Sequence, residues 1–241
     1  MRLESRHRTA AGLFHPWLLL GIVCLVGIPG VQALPIGGLW NTGVDSEGKP
    51  LASGALETHY SATLPTGSNP AYQMRTVLLP GSYVRNPSDA AWIGPSLTAT
   101  EGALVDDPVG EYAYRLSFNL TGLSAASAII SGLWASDNNS SIWLNGVNTG
   151  LRVGFEQFGG LTSFSIFDGM LGLNGLPIHF QESRNTLEFL VYNGSGWGNP
   201  SALLVSHLSG SAQGVPDQGS LLMLLGGAFL CLIPVSRALR R

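Results

Sequence analysis

EYAYRLSFNL, residues 111–120, is the stretch on which the reading of this chain turns. Tyr112, Tyr114, Leu116, Phe118 and Leu120 alternate with Ala113, Arg115, Ser117 and Asn119. A period of two puts the large apolar side chains on one face and the polar ones on the other, as in a half-buried strand. Residues 186–192, TLEFLVY, repeat the pattern, with Leu187, Phe189 and Val191 facing one way and Glu188 and Tyr192 the other. Weaker strand signals cover 56–64, 73–79, 128–135, 141–144, 162–167 and 202–208, and no stretch between 34 and 214 keeps a helical period. About eight strands separated by turn residues predict an all-β sandwich or jelly roll.

Turn chemistry and composition agree with this. Asp137-Asn138-Asn139 tolerates left-handed backbone and should turn the chain between Trp134 and Ile142. Asn145-Gly146 is a strong tight-turn pair, and Asn193-Gly194 closes the strand after Tyr192. Charged residues make up 11% of the 241, and glycines number 32. A helical bundle needs a charged face that this composition does not supply, whereas many glycines suit many turns. No repeat of solenoid or propeller length is visible.

The two ends differ from the middle. Arg2, Arg6 and Arg8 precede the apolar run LLLGIVCLVGI at 18–28, and Val31-Gln32-Ala33 follows with small residues where a signal peptidase needs them. The expected cut lies after Ala33, leaving Leu34 as the new N-terminus. Cys24 is not placed for a lipoprotein cut. At the other end stand Val215-Pro216-Asp217, then Gly219-Ser220, the apolar run LLMLLGGAFLCLIPV at 221–235, and Arg237, Arg240 and Arg241. An apolar segment closed by arginines is a stop-transfer device: the apolar part enters lipid and the arginines stay cytoplasmic. With an export signal in front, the middle domain is expected outside the cytoplasm, tail-anchored in the membrane until processed. The organisation is thus 1–33 signal, 34–214 β domain and 215–241 tail, with a helix expected in each flank.

The tail resembles the PEP-CTERM class of sorting signals in its Val-Pro-Asp variant, over the last 27 residues. It departs from that pattern where a Ser/Thr-rich stretch is usual and Gln218-Gly219-Ser220-Leu221 stands instead. The resemblance implies an exosortase-like membrane protease as partner, and a host that makes extracellular polysaccharide.

A second resemblance covers roughly residues 110–208. Gly132-Leu133-Trp134-Ala135-Ser136-Asp137-Asn138 followed by Ile142-Trp143-Leu144-Asn145-Gly146 looks like the paired strands of galactose-binding-like jelly rolls. Phe164-Ser165-Ile166 and the strand 185–193 continue in the same order. That fold implies a hairpin closed by the Asn-Gly pair, with the Asn-x-Leu strand pairing nearby. Proteins with the exosortase-type tail are often built on such domains.

Charge excludes one class of function. Between residues 34 and 214 six Lys and Arg face thirteen Asp and Glu, a net of −7. An acidic domain lacks the basic face that nucleic acid requires. Both cysteines, Cys24 and Cys231, lie in the terminal apolar segments, so the domain has neither a disulfide nor a thiol nucleophile. Its three histidines, His59, His179 and His207, stand apart from any Gly-x-Ser-x-Gly elbow and read as surface or edge residues. Asp106-Asp107 and Glu111 offer oxygen ligands to calcium but lack an EF-hand pattern and read as a solvated acidic turn. No metal site or cofactor is expected. Glycosidase carboxylates would be far apart in sequence and leave no local motif.

The tryptophans remain. Trp92 and Trp134 read as core. Trp143 alternates with Ile142 and Leu144, so it faces away from them, with Asn145 expected on its side. Trp197 lies in the glycine-rich loop 194–200. An exposed indole can stack on the apolar C–H face of a sugar while a neighbouring amide bonds its hydroxyls. Trp143, Asn145 and Trp197 are therefore the candidate ligand-binding residues. The expectation is a non-catalytic cell-surface or extracellular-matrix protein; the alternatives are a carbohydrate-binding module for exopolysaccharide and a glycan-active enzyme.

Overall fold

The computed structural model describes residues 32–65, 74–77, 81–95, 107–155, 157–195 and 199–215, all within the unit Val31–Arg241. The expected terminal helices lie outside the described residues. So do Trp197, Pro216, Asp217, Arg237, Arg240 and Arg241.

Among the described residues the strands are β1 (Ala33–Pro35), β2 (Tyr60–Thr63), β3 (Arg75–Thr76), β4 (Ile93–Gly94), β5 (Gly110–Asn119), β6 (Ile129–Asp137), β7 (Asn139–Leu144), β8 (Val147–Val153), β9 (Thr162–Phe167), β10 (Arg184–Asn193) and β11 (Ala202–Gln213). They form two antiparallel sheets. One runs β3-β4-β11-β6-β9, with β1 also on β11; the other runs β2-β5-β10-β7-β8. The all-β expectation holds, and the two sheets face each other as a sandwich.

The two alternating stretches form the heart of the five-stranded sheet. β5 and β10 pair along their whole length, from Asn119 opposite Arg184 to Gly110 opposite Asn193. Their inward faces bury Tyr112, Tyr114, Leu116, Phe118, Leu187, Phe189 and Val191. Ile130, Trp134, Phe164, Ile166, Leu203 and Val205 join them in one core. Phe189 sits at its centre, with ring centroids 5.6 Å from Trp134 and 5.9 Å from Phe164.

A smaller apolar cluster lies around Ala135, Ala202 and Leu204 of β6 and β11, joined by Val77, Ala90 and Trp92, with Tyr83, Val84 and Phe158 packed against it. Trp92 is core, as expected: it is 2% exposed, and its indole N–H donates to the Val84 carbonyl at 2.8 Å. Thus one sheet is covered on both faces. The five-stranded sheet keeps its outward side chains half-buried or exposed along β7 and β10.

Asn145-Gly146 closes the β7–β8 hairpin as expected, both residues having positive φ (52° and 80°). Such a turn matches the twist of the strands it joins. The strand beginning at Asn185 does pair with β7, Leu187 opposite Leu144.

The resemblance misled in one respect. Segments 132–138 and 142–144 are not partners: β6 pairs with β11 and β9, and β7 with β10 and β8. The Asp137-Asn138 corner carries the chain from one sheet to the other. Ser136, Asp137, Asn138 and Ser140 are buried there and hydrogen-bonded: Ser136 Oγ donates to the Asn138 carbonyl at 2.8 Å and meets Ser140 Oγ, and Asn138 Nδ2 donates to Asp137 Oδ1 at 2.6 Å.

β1, β4 and β8 were not foreseen. β2 and β3 are shorter than the expected 56–64 and 73–79, and β11 runs on past 208 to Gln213 through an irregularity at His207 (φ 52°). β1 pairs Ala33 with Gln213, Leu34 with Ala212 and Pro35 with Ser211. The expected cleavage point and the start of the tail therefore lie side by side. Val215 follows at once, 56% exposed, with its N–H on the Gly122 carbonyl at 3.0 Å.

Candidate functional site

Strand register assembles what the sequence left scattered. On the outward face of the five-stranded sheet, Asn148 of β8 stands opposite Trp143 of β7 and Trp143 opposite Glu188 of β10. Glu188 stands opposite Arg115 of β5, and Arg115 opposite Ser61 of β2. Strands lie about 4.8 Å apart, so this row is about 19 Å long. The adjacent row reads Arg152, Ser141, Leu190, Ala113 and Thr63. The Trp143 indole is half-buried and leans along its own strand, its N–H donating to Ser141 Oγ at 2.9 Å. Arg115 and Glu188 form an ion pair, and Arg115 also bonds Thr63 Oγ1. The row thus offers a flat apolar ring beside a carboxylate, a guanidinium, an amide and a hydroxyl.

Asn145 is used differently from the expectation. Its left-handed backbone breaks the alternation that would have set it beside Trp143. Its Oδ1 accepts the Thr186 N–H at 2.9 Å, and its Nδ2 donates to Asn185 Oδ1 at 2.9 Å and the His179 carbonyl at 3.2 Å. It locks the hairpin against β10.

Trp197 lies outside the described residues; Gly194 and Asn199, which flank it in sequence, stand at the opposite end of the sandwich from the 145–146 turn. From Glu188, opposite Trp143, β10 climbs five residues to Asn193 before that loop begins, about 17 Å of strand. Trp143 and the two described flanks Gly194 and Asn199 are separate places.

That loop end holds a polar network that no sequence motif announced. Asn199 Nδ2 donates to the Gly194 carbonyl at 2.7 Å, Asn193 Oδ1 at 3.0 Å and Asn138 Oδ1 at 3.2 Å. Asn193 Nδ2 reaches the Asp107 carbonyl at 3.0 Å, and Asp107 Oδ2 accepts the Ser201 N–H at 2.8 Å. The acidic turn considered for calcium thus spends one of its carboxylates on the chain itself.

Asp137 lies at the root of this network, 1% exposed, accepting from Tyr83 Oη and, at 2.6 Å, from Asn138 Nδ2. Burial raises its carboxyl from the ordinary 3.8 to about 6, against the smaller lowering effect of the Tyr83 bond. The Tyr83 phenol is pushed up, first by burial and then by the bond to and the charge of Asp137. An acid with a raised folded-state pKa holds its proton longer in the native state than in the unfolded chain. Stability should therefore fall as pH rises from about 4 to about 6, by on the order of 2 kcal/mol, and level off above. Asp137→Asn keeps an acceptor for Tyr83 and should remove that slope. Urea unfolding at pH 4.5 and 7 measures it; parallel pH curves for parent and variant would refute the assignment.

The histidines are dispersed. His59 stacks on Trp40 at 4.2 Å, His179 lies 3.2 Å from Asp168, and His207 flanks Asp89 at the irregularity in β11. Among the described residues no three His, Cys, Asp or Glu converge on a metal position.

No family model and no curated protein matches the chain. Solved structures show remote likenesses. The carbohydrate-binding module TmCBM61, in complex with β-1,4-galactotriose, shares 9% identity at a TM-score of 0.38, over 66% of this chain and 92% of its own. A family 35 carbohydrate-binding module from an environmental isolate shares 13% at 0.24, over 48% and 80%. A GH31 α-xylosidase from Xanthomonas citri shares 14% at 0.25, over 76% of this chain and 17% of its own.

Proposed function

We propose that this chain is an exported, non-catalytic carbohydrate-binding domain on a galactose-binding-like jelly roll. An exosortase-like system sorts it through its tail, and it holds extracellular polysaccharide against the open face of the five-stranded sheet. The observation that carries the reading is the row Asn148–Trp143–Glu188–Arg115–Ser61, which crosses all five strands on that face. A sugar chain presents alternating C–H faces and hydroxyls. The indole takes the former and the polar groups the latter. The Arg115–Glu188 pair is pre-aligned, so binding orders little that is not already ordered.

Three of the acids among the described residues are engaged within the fold, which supports the non-catalytic part. Glu57 accepts backbone N–H groups, Asp137 is held by Tyr83 and Asn138, and Glu188 is paired with Arg115. Each of these three carboxylates holds neighbouring groups of the fold in place. The tail motif, the basic ends and the adjacent exits of β1 and β11 support the sorting part.

The test uses mature protein recovered from the envelope and medium of a polysaccharide-producing host. Mass spectrometry should show a chain that starts at Leu34 and lacks Arg241. The same protein should be retarded in gels containing the host polysaccharide. Trp143→Ala should weaken that retardation by about tenfold or more, the effect of losing a central aromatic anchor, with little change in melting temperature because the ring is half-buried. Equal retardation of parent and variant would remove the site. Absence of binding to any polysaccharide would leave a structural coat protein, and intact Arg241 in every fraction would defeat the sorting reading.

A further inference from the structure

Between β9 and β10 the chain makes a built excursion. Leu171 bridges Pro177, Gly169 N–H donates to the Ile178 carbonyl at 2.8 Å, and Ile178 N–H returns to the Met170 carbonyl at 2.8 Å. Gly172 N–H reaches the Leu176 carbonyl at 2.9 Å, and Leu173 N–H fastens the tip to the Asn148 carbonyl at 3.0 Å. The backbone is satisfied, yet the side chains offered to solvent are Leu171 (66% exposed), Leu173 (66%) and Leu176 (62%). Residues 169–178, GMLGLNGLPI, contain no charge. Turns normally give water Asn, Asp, Ser or Gly, and three clustered exposed leucines mark a contact surface.

The position of this loop selects its partner. β9 ends at Phe167, itself 51% exposed, opposite Ile129; Ile129 stands opposite Ser211, near the end of β11. The loop therefore springs from the end of the sandwich at which the chain leaves through Val215. Five residues separate Val215 from Leu221, where the apolar tail begins, and the six steps from one to the other span at most about 22 Å. When the tail occupies a bilayer, this end of the domain is held within that distance of the lipid.

We propose that the 169–178 loop is a membrane-surface contact. Its leucines enter the headgroup boundary, seat the domain end-on beside its own tail, and hold the Val215-Pro216-Asp217 motif at the surface where a membrane protease works. The proposal rests on the sorting-tail reading above. An uncharged leucine tip can enter the interface without desolvating an ion. The tether supplies the proximity that a marginal three-leucine contact needs, as a covalent link raises effective concentration.

The experiment uses the signal-free chain, Leu34 to Arg241, with Cys231→Ser, so that one introduced thiol carries an environment-sensitive fluorophore and the tail is its one long apolar segment. Leu173→Cys reports the loop; Asn139→Cys, exposed at the opposite end of the sandwich, is the control. The protein is reconstituted into phosphatidylethanolamine–phosphatidylglycerol vesicles. It should float with the vesicles. The label at 173 should shift to the blue and be quenched by headgroup spin-labelled lipid, and the label at 139 should do neither. Adding Leu171→Ser and Leu176→Ser should reduce quenching at 173 while flotation persists. Flotation with an unquenched, aqueous label at 173 overturns the proposal and leaves the tail reading standing. A blue-shifted label that lipid spin probes fail to quench means protein contact, such as a second copy, and also overturns it. Failure to float removes the tail reading and the proposal with it.

Discussion

Phe189→Ala should cost about 3–5 kcal/mol of stability and lower the melting temperature by about 10 °C or more. Phe189 has no exposed surface and lies on β10, the central strand of the five-stranded sheet. Its ring is edge-on to Phe164 of the facing sheet and tilted against Trp134. Truncation therefore opens a void between the sheets, where neither layer can collapse without breaking its ladder. The lost transfer free energy and the unfilled volume both count. Phe167→Ala is the internal standard: the same chemistry at a position 51% exposed should change stability by about 0.5 kcal/mol or less. Thermal and denaturant unfolding of the two variants measures the difference. Equal losses would mean that the inter-sheet core is not where these contacts place it.

Glu57→Ala should destabilise by a similar amount, about 3–5 kcal/mol, although it removes a charge from a protein already acidic. Glu57 is 5% exposed. Its Oε2 accepts the Gly43 N–H at 2.6 Å; its Oε1 accepts those of His59 at 2.5 Å and Tyr60 at 3.2 Å. Gly43 adjoins Thr42, whose N–H and hydroxyl both reach the Val205 carbonyl of β11, whereas Tyr60 opens β2 in the other sheet. One carboxylate thus ties a segment held on β11 of one layer to the edge strand β2 of the other. Alanine would leave three N–H groups without their acceptor, and each such loss costs about 1–3 kcal/mol when the group stays dry. Glu57→Gln should recover only part of the loss, because its NH2 group would face an N–H on one side. The Tyr60 phenol supplies a spectroscopic check: burial first, and then the Glu57 charge, hold it well above its ordinary value. An alkaline titration in which Glu57→Gln leaves that phenol unmoved would contradict the contact.

The same two residues show how unevenly the structure was legible. Phe189 was placed in the core by alternation alone, as were Tyr112, Tyr114, Leu116 and Phe118, and burial agrees at each. Glu57 stands in a segment read as an ordinary strand, 56–64, of which only Tyr60–Thr63 joins the sheet. Its carboxylate occupies the backbone N–H groups just before that strand, and nothing local marks an acid as a buried acceptor. The candidate site divides in the same way. Trp143 could be assigned to the outer face from its neighbours Ile142 and Leu144. Arg115 and Glu188 were already on wet faces, but their meeting, and their alignment with Trp143, exist only through the pairing of β5, β10 and β7.

What the amino-acid sequence determined by itself was everything with a short period or a local chemical cause. That includes the two long alternating strands, the Asn145-Gly146 hairpin, the acidic thiol-free middle, and apolar ends marked by arginine. Such features depend on torsional preferences and side-chain polarity within a few residues. Tertiary structure alone decided which strands share a sheet, since the 137–138 corner sends β6 and β7 to opposite layers. It also decided that three-residue β1 lies beside the end of β11, bringing both exits of the domain together. Strands of two or three residues are too short to show a period. Their pairing free energy comes from partners far away in the chain, so it is absent from any local window and appears only when both layers close on the core.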